Sequence, residues 1–329
     1  MEAIITLSVL SFTISFFAFK FFIQYAKAKQ LLDLPNERKL QKIPVPTSGG
    51  IPLYVSVSLV GVVAYFFHLI DLNLLLLLLL GLGMMILGFV DDRNDISAKK
   101  RVLVEVLISL IVTSLGYRVE SLHSFLGIHA LPEIIQYVLS IFLILAFINA
   151  FNLIDGIDGL LGSISLVNFS VFAALFYTQG NESFFLLSVV VVISLCSFLI
   201  FNFDPAKIFM GDAGSLVIGF LTACFGFQFL NGKYVEYAYH LTYIIALALI
   251  PLFDTFRVIM IRVLHGESPF TADKSHVHHY LIKFGYNHRK ATIYIVLVHL
   301  IIVVSSNLLY PLWGIRHHSY LNNACYSLF

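Results

Sequence analysis

What most constrains this chain is a succession of apolar runs, each long enough to cross a bilayer. Crossing ~30 Å of hydrocarbon takes roughly 20 helical residues. Ten such runs lie near residues 3–24, 50–70, 73–90, 102–116, 133–151, 160–178, 184–201, 214–231, 238–258 and 291–310. Of the 329 residues 59% are hydrophobic and only 12% charged, which excludes a water-soluble core. Runs such as Leu74 to Leu80 lack the two-residue alternation of a lipid-facing barrel strand, so the segments are read as helices that satisfy their own backbone. The expected fold class is all-α: a polytopic integral membrane helical bundle of about ten transmembrane helices, forming a single domain over residues 1–329.

Threading these spans alternately through a bilayer puts 17 of the 20 lysines and arginines on one side and only Arg118, Lys233 and Arg316 on the other. By the positive-inside bias the first side is cytoplasmic and both termini are extracytoplasmic. The first segment has Glu2 and no basic residue before Lys20; lacking the positive n-region of a cleaved signal peptide, it is read as a retained anchor. No concentrated basic face with stacking aromatics points to nucleic acid. Cys196, Cys224 and Cys325 show neither CxxC spacing nor a disulfide framework.

The unusual polar residues fall in five inner loops, 33–50, 91–101, 149–159, 202–215 and 262–290. Carboxylates at the edge of lipid are costly and tend to be kept for function, yet Asp91, Asp92, Asp155, Asp158 and Asp212 all fall at inner helix ends. Like charges gathered at one level repel and raise one another's pKa values unless a cation compensates. Mg²⁺ is the economical partner, because it takes one or two carboxylates and leaves positions for substrate phosphates.

Each motif adds a detail. Asp91-Asp92 ends the third run, where negative charge opposes the helix dipole, so a merely solvated helix end is disfavoured. Asn152, Asp155 and Asp158 are spaced three apart and could converge on one side of a helical turn; without a closing acid the stretch is not an EF-hand. Asp212 opens the eighth run as a helix N-terminus whose free N–H groups suit phosphate, with Asp212 itself placed to hold a metal. Simple capping there would leave Gly211, Gly214 and Phe209 unexplained. His276, His278 and His279 lack the spacing of a zinc site and suit hydrogen bonding to phosphate or proton transfer. The basic residues of the first loop, Lys42 included, read singly as topology signals and together as an attraction for an anionic lipid phosphate.

Taken in order, DLPNERK, GFVDDRND, NAFNLIDGIDGL, NFDPAKIFMGDAGS, PLFDTFR and SPFTADKSHVHHYL resemble the motifs of the polyprenyl-phosphate N-acetylhexosamine-1-phosphate transferases. This bacterial membrane family initiates enterobacterial common antigen, teichoic acid and O-antigen synthesis. The likeness runs from Asp33 to about Leu281. It implies a ten- or eleven-helix bundle in the bacterial cytoplasmic (inner) membrane, with its active site on the cytoplasmic face and a tendency to form homodimers. It further implies Mg²⁺, with Mn²⁺ as a substitute, held principally by Asp212 with Asp92 and Asn152 close by. Asp91 matches the proposed base or nucleophile. Asp158 and the Phe209 ring match positions that recognise uracil, Asp155 and Lys42 match positions lining the cleft, and His276, His278 and His279 match the loop that engages the sugar diphosphate. The HxHH pattern is like the amino-sugar branch and unlike the muramoyl-pentapeptide branch, which implies a UDP-N-acetylhexosamine donor, UDP-N-acetylglucosamine first. Gln41 and Thr47 depart from the family, standing where many relatives have histidine and arginine.

Two other classes are set aside on the residues themselves. A secondary transporter would place its ionisable groups near the bilayer midplane on broken helices, whereas these cluster at helix ends. The CDP-alcohol phosphotransferases carry Ala-Arg soon after Asp-Gly, which is missing after Asp158-Gly159. Joining a lipid phosphate to a nucleotide diphosphate brings two anions together, so charge neutralisation and alignment are the main catalytic tasks. Direct attack by the lipid phosphate is expected, with Asp91 taking its proton.

Overall fold

A computed structural model describes residues 2–33, 44–94, 96–125, 128–232, 239–266 and 276–308. The helices are α1 (Glu2–Ala28), α2 (Gly50–Phe66), α3 (Leu72–Asn94), α4 (Ala98–Ser114), α5 (Glu133–Ile154), α6 (Leu160–Thr178), α7 (Glu182–Asn202), α8 (Asp212–Leu230), α9 (Tyr239–Leu264), α10 (Val277–Lys283) and α11 (His288–Leu308). Every one of the ten apolar runs is therefore a helix. Among the described residues eight helices are long and apolar enough to span a membrane, and the chain is a multi-pass membrane protein. The helices α2 and α4, with 17 residues each, reach ~25 Å at 1.5 Å per residue.

Five small elements escaped a reading tuned to membrane-length runs. The helix α10 lies inside the last predicted inner loop. Strands β1 (Leu32–Asp33) and β2 (Val45–Pro46) pair antiparallel, as do β3 (Ser121–Phe125) and β4 (Ile128–Ala130). Each is too short to register in apolar periodicity. The first pair brackets residues 34–43 and brings the chain back toward α8.

The bundle is built around α8, which is buried along nearly its whole length. Between lipid-solvated helices apolar burial alone gives little drive, so close backbone approach and interhelical hydrogen bonds decide the packing. Glycines supply the approach. A Cβ at Gly50 of α2 would lie 2.1 Å from Gly214 Cα, one at Gly88 of α3 would lie 2.2 Å from the Asp212 carbonyl oxygen, and one at Gly219 would lie 2.7 Å from Ile148 Cα of α5. Phe169, Phe176, Phe184 and Phe225 then lock α6, α7 and α8 together, with ring centroids 5.0–5.9 Å apart in edge and tilted contacts. Ser15 donates to Ser197 between α1 and α7 (2.8 Å). Asn168 of α6 joins His299 of α11 (2.8 Å) and the Leu247 carbonyl of α9 (3.1 Å).

Candidate active site

The described parts of the predicted inner loops meet at one end of the bundle, around the N-terminus of α8. Backbone pairing sets the frame: Gly49 and Gly50 donate to the Phe209 and Met210 carbonyls (2.8 and 2.9 Å), and Phe209 N–H donates to Pro46 O (2.8 Å). This ladder lays residues 46–50 along the entry to α8. Gly211 makes the final turn at φ 70°, where a Cβ would come within 2.6 Å of Asp92 Oδ2, so both conformation and space require glycine.

Asp92, at the end of α3, caps α8 from 120 residues away. Its Oδ1 accepts from Asp212 N–H (2.9 Å), and its Oδ2 accepts from Ala213 N–H (3.4 Å) and Ser48 Oγ (2.8 Å). Gly214 and Ser215 N–H both donate to Gly211 O at 3.0 Å. The N–H groups expected to await a phosphate are thus already satisfied, because a carboxylate supplies the negative charge this helix end attracts. The sequence expectation is corrected on that point.

Asn152, near the end of α5, donates through Nδ2 to Asp212 Oδ1 (2.7 Å) and Ser215 Oγ (2.9 Å). Asp212 Oδ2 receives Arg101 Nη1 at 3.3 Å, and the same nitrogen reaches Asp91 Oδ2 at 3.1 Å. Asp91 Oδ1 accepts from Ile96 N–H (2.9 Å). Arg101 Nε is held by Glu105 Oε1 (2.9 Å), a fully buried carboxylate one turn deeper in α4. Asp91, Asp92, Asn152 and Asp212, drawn from α3, α5 and α8, therefore form one oxygen-rich cluster with Arg101 wedged into it.

Asp155 lies beside this cluster. Desolvation first, then the Asp212 and Asp92 charges, pushes its carboxyl up to about 7, and the Gly211 amide offsets part of that rise. Asp158 is not part of the cluster, which corrects the idea that Asn152, Asp155 and Asp158 converge on one helical face. The helix α5 stops at Ile154 and the chain turns. Asp158 Oδ2 accepts from Ala206 N–H (3.0 Å), Oδ1 faces His288 Nδ1 (3.1 Å), and its carbonyl accepts from Thr292 Oγ1 (2.8 Å). It clasps α11 and the loop before α8. Phe209 is half-buried beside that loop.

The histidines form a stack over the α5–α6 turn. The His276 and His278 rings are nearly parallel at 5.8 Å, and His279 lies 4.3 Å from His278. A Cβ on Gly156 would meet His278 Nε2 at 2.1 Å, so that glycine is needed for close approach. Burial, then the His279 and His276 charges, pushes His278 down to about 3 and keeps it neutral. Lys42 lies outside the described residues, as do Gln41 and the stretch before His276.

Among the described residues no three acidic, histidine or cysteine side chains close into a ready-made metal cage. The donor set that fits a hard divalent cation is instead two carboxylates, Asp212 and Asp92, with the Asn152 amide, the remaining positions falling to water and substrate oxygens.

Sequence reasoning overlooked several participants. Arg101 had been counted only among the charges that set topology. A glutamate inside an apolar run four residues after an arginine was the available signal, since such a charge must be paired. Ser48 and His288 gave no signal, because their roles depend on contacts across the fold.

The model of the family described as glycosyl transferase family 4 matches residues 74–229. A probable undecaprenyl-phosphate N-acetylglucosaminyl 1-phosphate transferase of Bacillus subtilis (strain 168) is 31% identical over 281 residues, 84% of this chain and 76% of the relative. Undecaprenyl-phosphate alpha-N-acetylglucosaminyl 1-phosphate transferases of Escherichia coli (strain K12) and Yersinia pestis are 31% and 34% identical. These alignments cover 88% and 81% of the chain, and 79% and 73% of the respective relatives.

Proposed function

The chain belongs to glycosyl transferase family 4, and on that premise we propose that it transfers N-acetylglucosamine 1-phosphate from UDP-N-acetylglucosamine to undecaprenyl phosphate, releasing UMP. The observation that carries this reading is the convergence of Asp91, Asp92, Asn152 and Asp212 from three helices at one end of the bundle. The Lys/Arg bias supports assigning that end to the cytoplasmic face of the bacterial inner membrane, where a water-borne nucleotide sugar and a lipid phosphate can meet.

Asp212 and Asp92, with Asn152 after its amide turns to present oxygen, would hold Mg²⁺, or Mn²⁺ in its place. Once bound, the ion supplies charge neutralisation to the diphosphate and the departing UMP. The chain's own groups perform the remaining tasks. Asp91 is oriented by the Ile96 amide and by Arg101, and its carboxylate takes the proton of the lipid phosphate. Arg101, held from below by Glu105, turns its guanidinium from the carboxylates toward phosphate oxygens as substrate enters. Phe209 stacks on the uracil, Asp158 fixes the edge of the uracil pocket, and Lys42 and Asp155 line the cleft. The histidine stack meets the sugar-diphosphate end. A single in-line displacement needs no phospho-aspartate, and a labelled sugar-phosphate adduct trapped on Asp91 would overturn that.

The test supplies the purified protein with undecaprenyl phosphate, Mg²⁺ and a panel of radiolabelled UDP-N-acetylhexosamines, beside Asp212→Ala. Labelled lipid from UDP-N-acetylglucosamine that vanishes in the variant is expected. Turnover of a different hexosamine would reassign the donor, and turnover of none by folded protein would overturn the proposal.

A further inference from the structure

The sequence motif PLFDTFR contributes no residue to the acidic cluster, yet it carries a buried carboxylate aimed at the histidine stack. Asp254, on α9, is 4% exposed. Its Oδ2 meets His276 Nδ1 at 2.9 Å, and its Oδ1 accepts from Val277 N–H at 3.1 Å and Arg257 Nη2 at 2.7 Å. Arg257 also lies over the Tyr280 ring of α10 at 5.5 Å. Thus α9 grips the His276 segment at three points.

Three donors on one carboxylate describe an ionised, acceptor-only group. The ring nitrogen facing an acceptor must carry a proton, so His276 is protonated at Nδ1. Its Nε2 takes no partner among the described residues. The ring plane is fixed as well, because His276 stacks on His278, which rests on Gly156 beside Asp155. A carboxylate that orients an imidazole and selects its tautomer is a recurring device in catalytic and metal sites.

We propose that Asp254 is a positioning residue that fixes His276 with Nδ1 protonated, leaving Nε2 as the ring atom that meets the donor's diphosphate. The proposal rests on the reading that the histidine stack engages that diphosphate. Asp254 touches no substrate; it acts through His276. As imidazolium, His276 gives a phosphate oxygen a charge-assisted hydrogen bond from Nε2, and as neutral imidazole it accepts a proton at the same atom.

The experiment is a double-mutant cycle on kcat/KM for UDP-N-acetylglucosamine with Asp254→Asn, His276→Asn and both together. Each single change is expected to lower kcat/KM by roughly 100-fold, and the double change by no more than the larger single loss. Losses that multiply, or an Asp254→Asn enzyme as fast as the parent, would overturn the proposal. A second readout needs neither activity nor an Asp254 variant. In ¹⁵N-histidine NMR, the imidazole signal removed by His276→Asn should show a protonated Nδ1, and a neutral ring protonated at Nε2 alone would refute the assignment. If the parent turns over no donor, the proposed function fails while this spectrum still decides the role of Asp254.

Discussion

Replacing Gly88 by alanine tests how the site is held together. The added Cβ would lie 2.2 Å from the Asp212 carbonyl oxygen and 2.4 Å from its carbon. Both atoms are backbone, so no rotamer change relieves the clash. Restoring the 3.4 Å of ordinary contact demands that α3 and α8 part by about 1.2 Å. The hydrogen bond from Asp212 N–H to Asp92, now 2.9 Å, would then stretch to about 4.1 Å and be lost. Overpacking of this kind costs ~1–3 kcal/mol, and a 1 Å misplacement of reacting groups can cost about 100-fold in rate. Gly88→Ala is therefore expected to lower the thermal midpoint in detergent and to cut sugar-phosphate transfer by about two orders of magnitude. Gly83→Ala, on the same helix, is the control: its Cβ would meet only the Ile108 side chain, at 3.3 Å, and near-parental activity is expected. A Gly88→Ala protein with more than half the parental rate and an unchanged midpoint would refute the idea that glycine contact sets the Asp92–Asp212 geometry.

Other outcomes follow from the same geometry. Arg101→Met strands Glu105 as a buried charge and should cost about 3 kcal/mol or more; Arg101→Met/Glu105→Met should recover the thermal midpoint but not the activity. Burial and the neighbouring carboxylates push Asp155 up to about 7, so a cation that neutralises those carboxylates favours its ionisation, and adding Mg²⁺ near neutral pH should release protons. Calorimetry in two buffers of different ionisation enthalpy reads this release, and Asp155→Asn should diminish it. His278, pushed from 6.5 down to about 3, binds fewer protons folded than unfolded. Its stabilisation is therefore complete above pH 6.5 and is lost as pH falls toward 3. The protection of amides in residues 276–283 against hydrogen exchange, taken relative to their intrinsic rates at each pH, should fall over that window, and His278→Gln should flatten the dependence.

Much of this was legible in the sequence because lipid imposes strict rules. Ten apolar runs had to be helices, and Asp91, Asp92, Asp155 and Asp212 stood out because carboxylates at a bilayer edge need a reason. Pairing across the fold was not legible. That Asp92 caps α8 depends on the approach of Gly88 to Asp212, which no local pattern encodes. Asp158 carries the same Asp-Gly signal as Asp155, yet the end of α5 at Ile154 turns it toward His288 and Ala206. Arg101 looked like one more cytoplasmic lysine or arginine until Glu105, one turn along, gave it a fixed place. Asp254 lay in a recognised motif without an evident partner, because His276 follows 22 residues later and reaches it only through the docking of α10.

What sets the proposed chemistry of this membrane site apart is the transfer of sugar together with phosphate. Mass spectrometry of the lipid and nucleotide products, after incubation of purified protein with undecaprenyl phosphate, UDP-N-acetylglucosamine and Mg²⁺, tests it most directly. Undecaprenyl-diphosphate-N-acetylglucosamine with an equimolar amount of UMP is expected, and neither should form with Asp212→Asn. Release of UDP with a lipid monophosphate sugar, or products that persist in the variant, would contradict the claim.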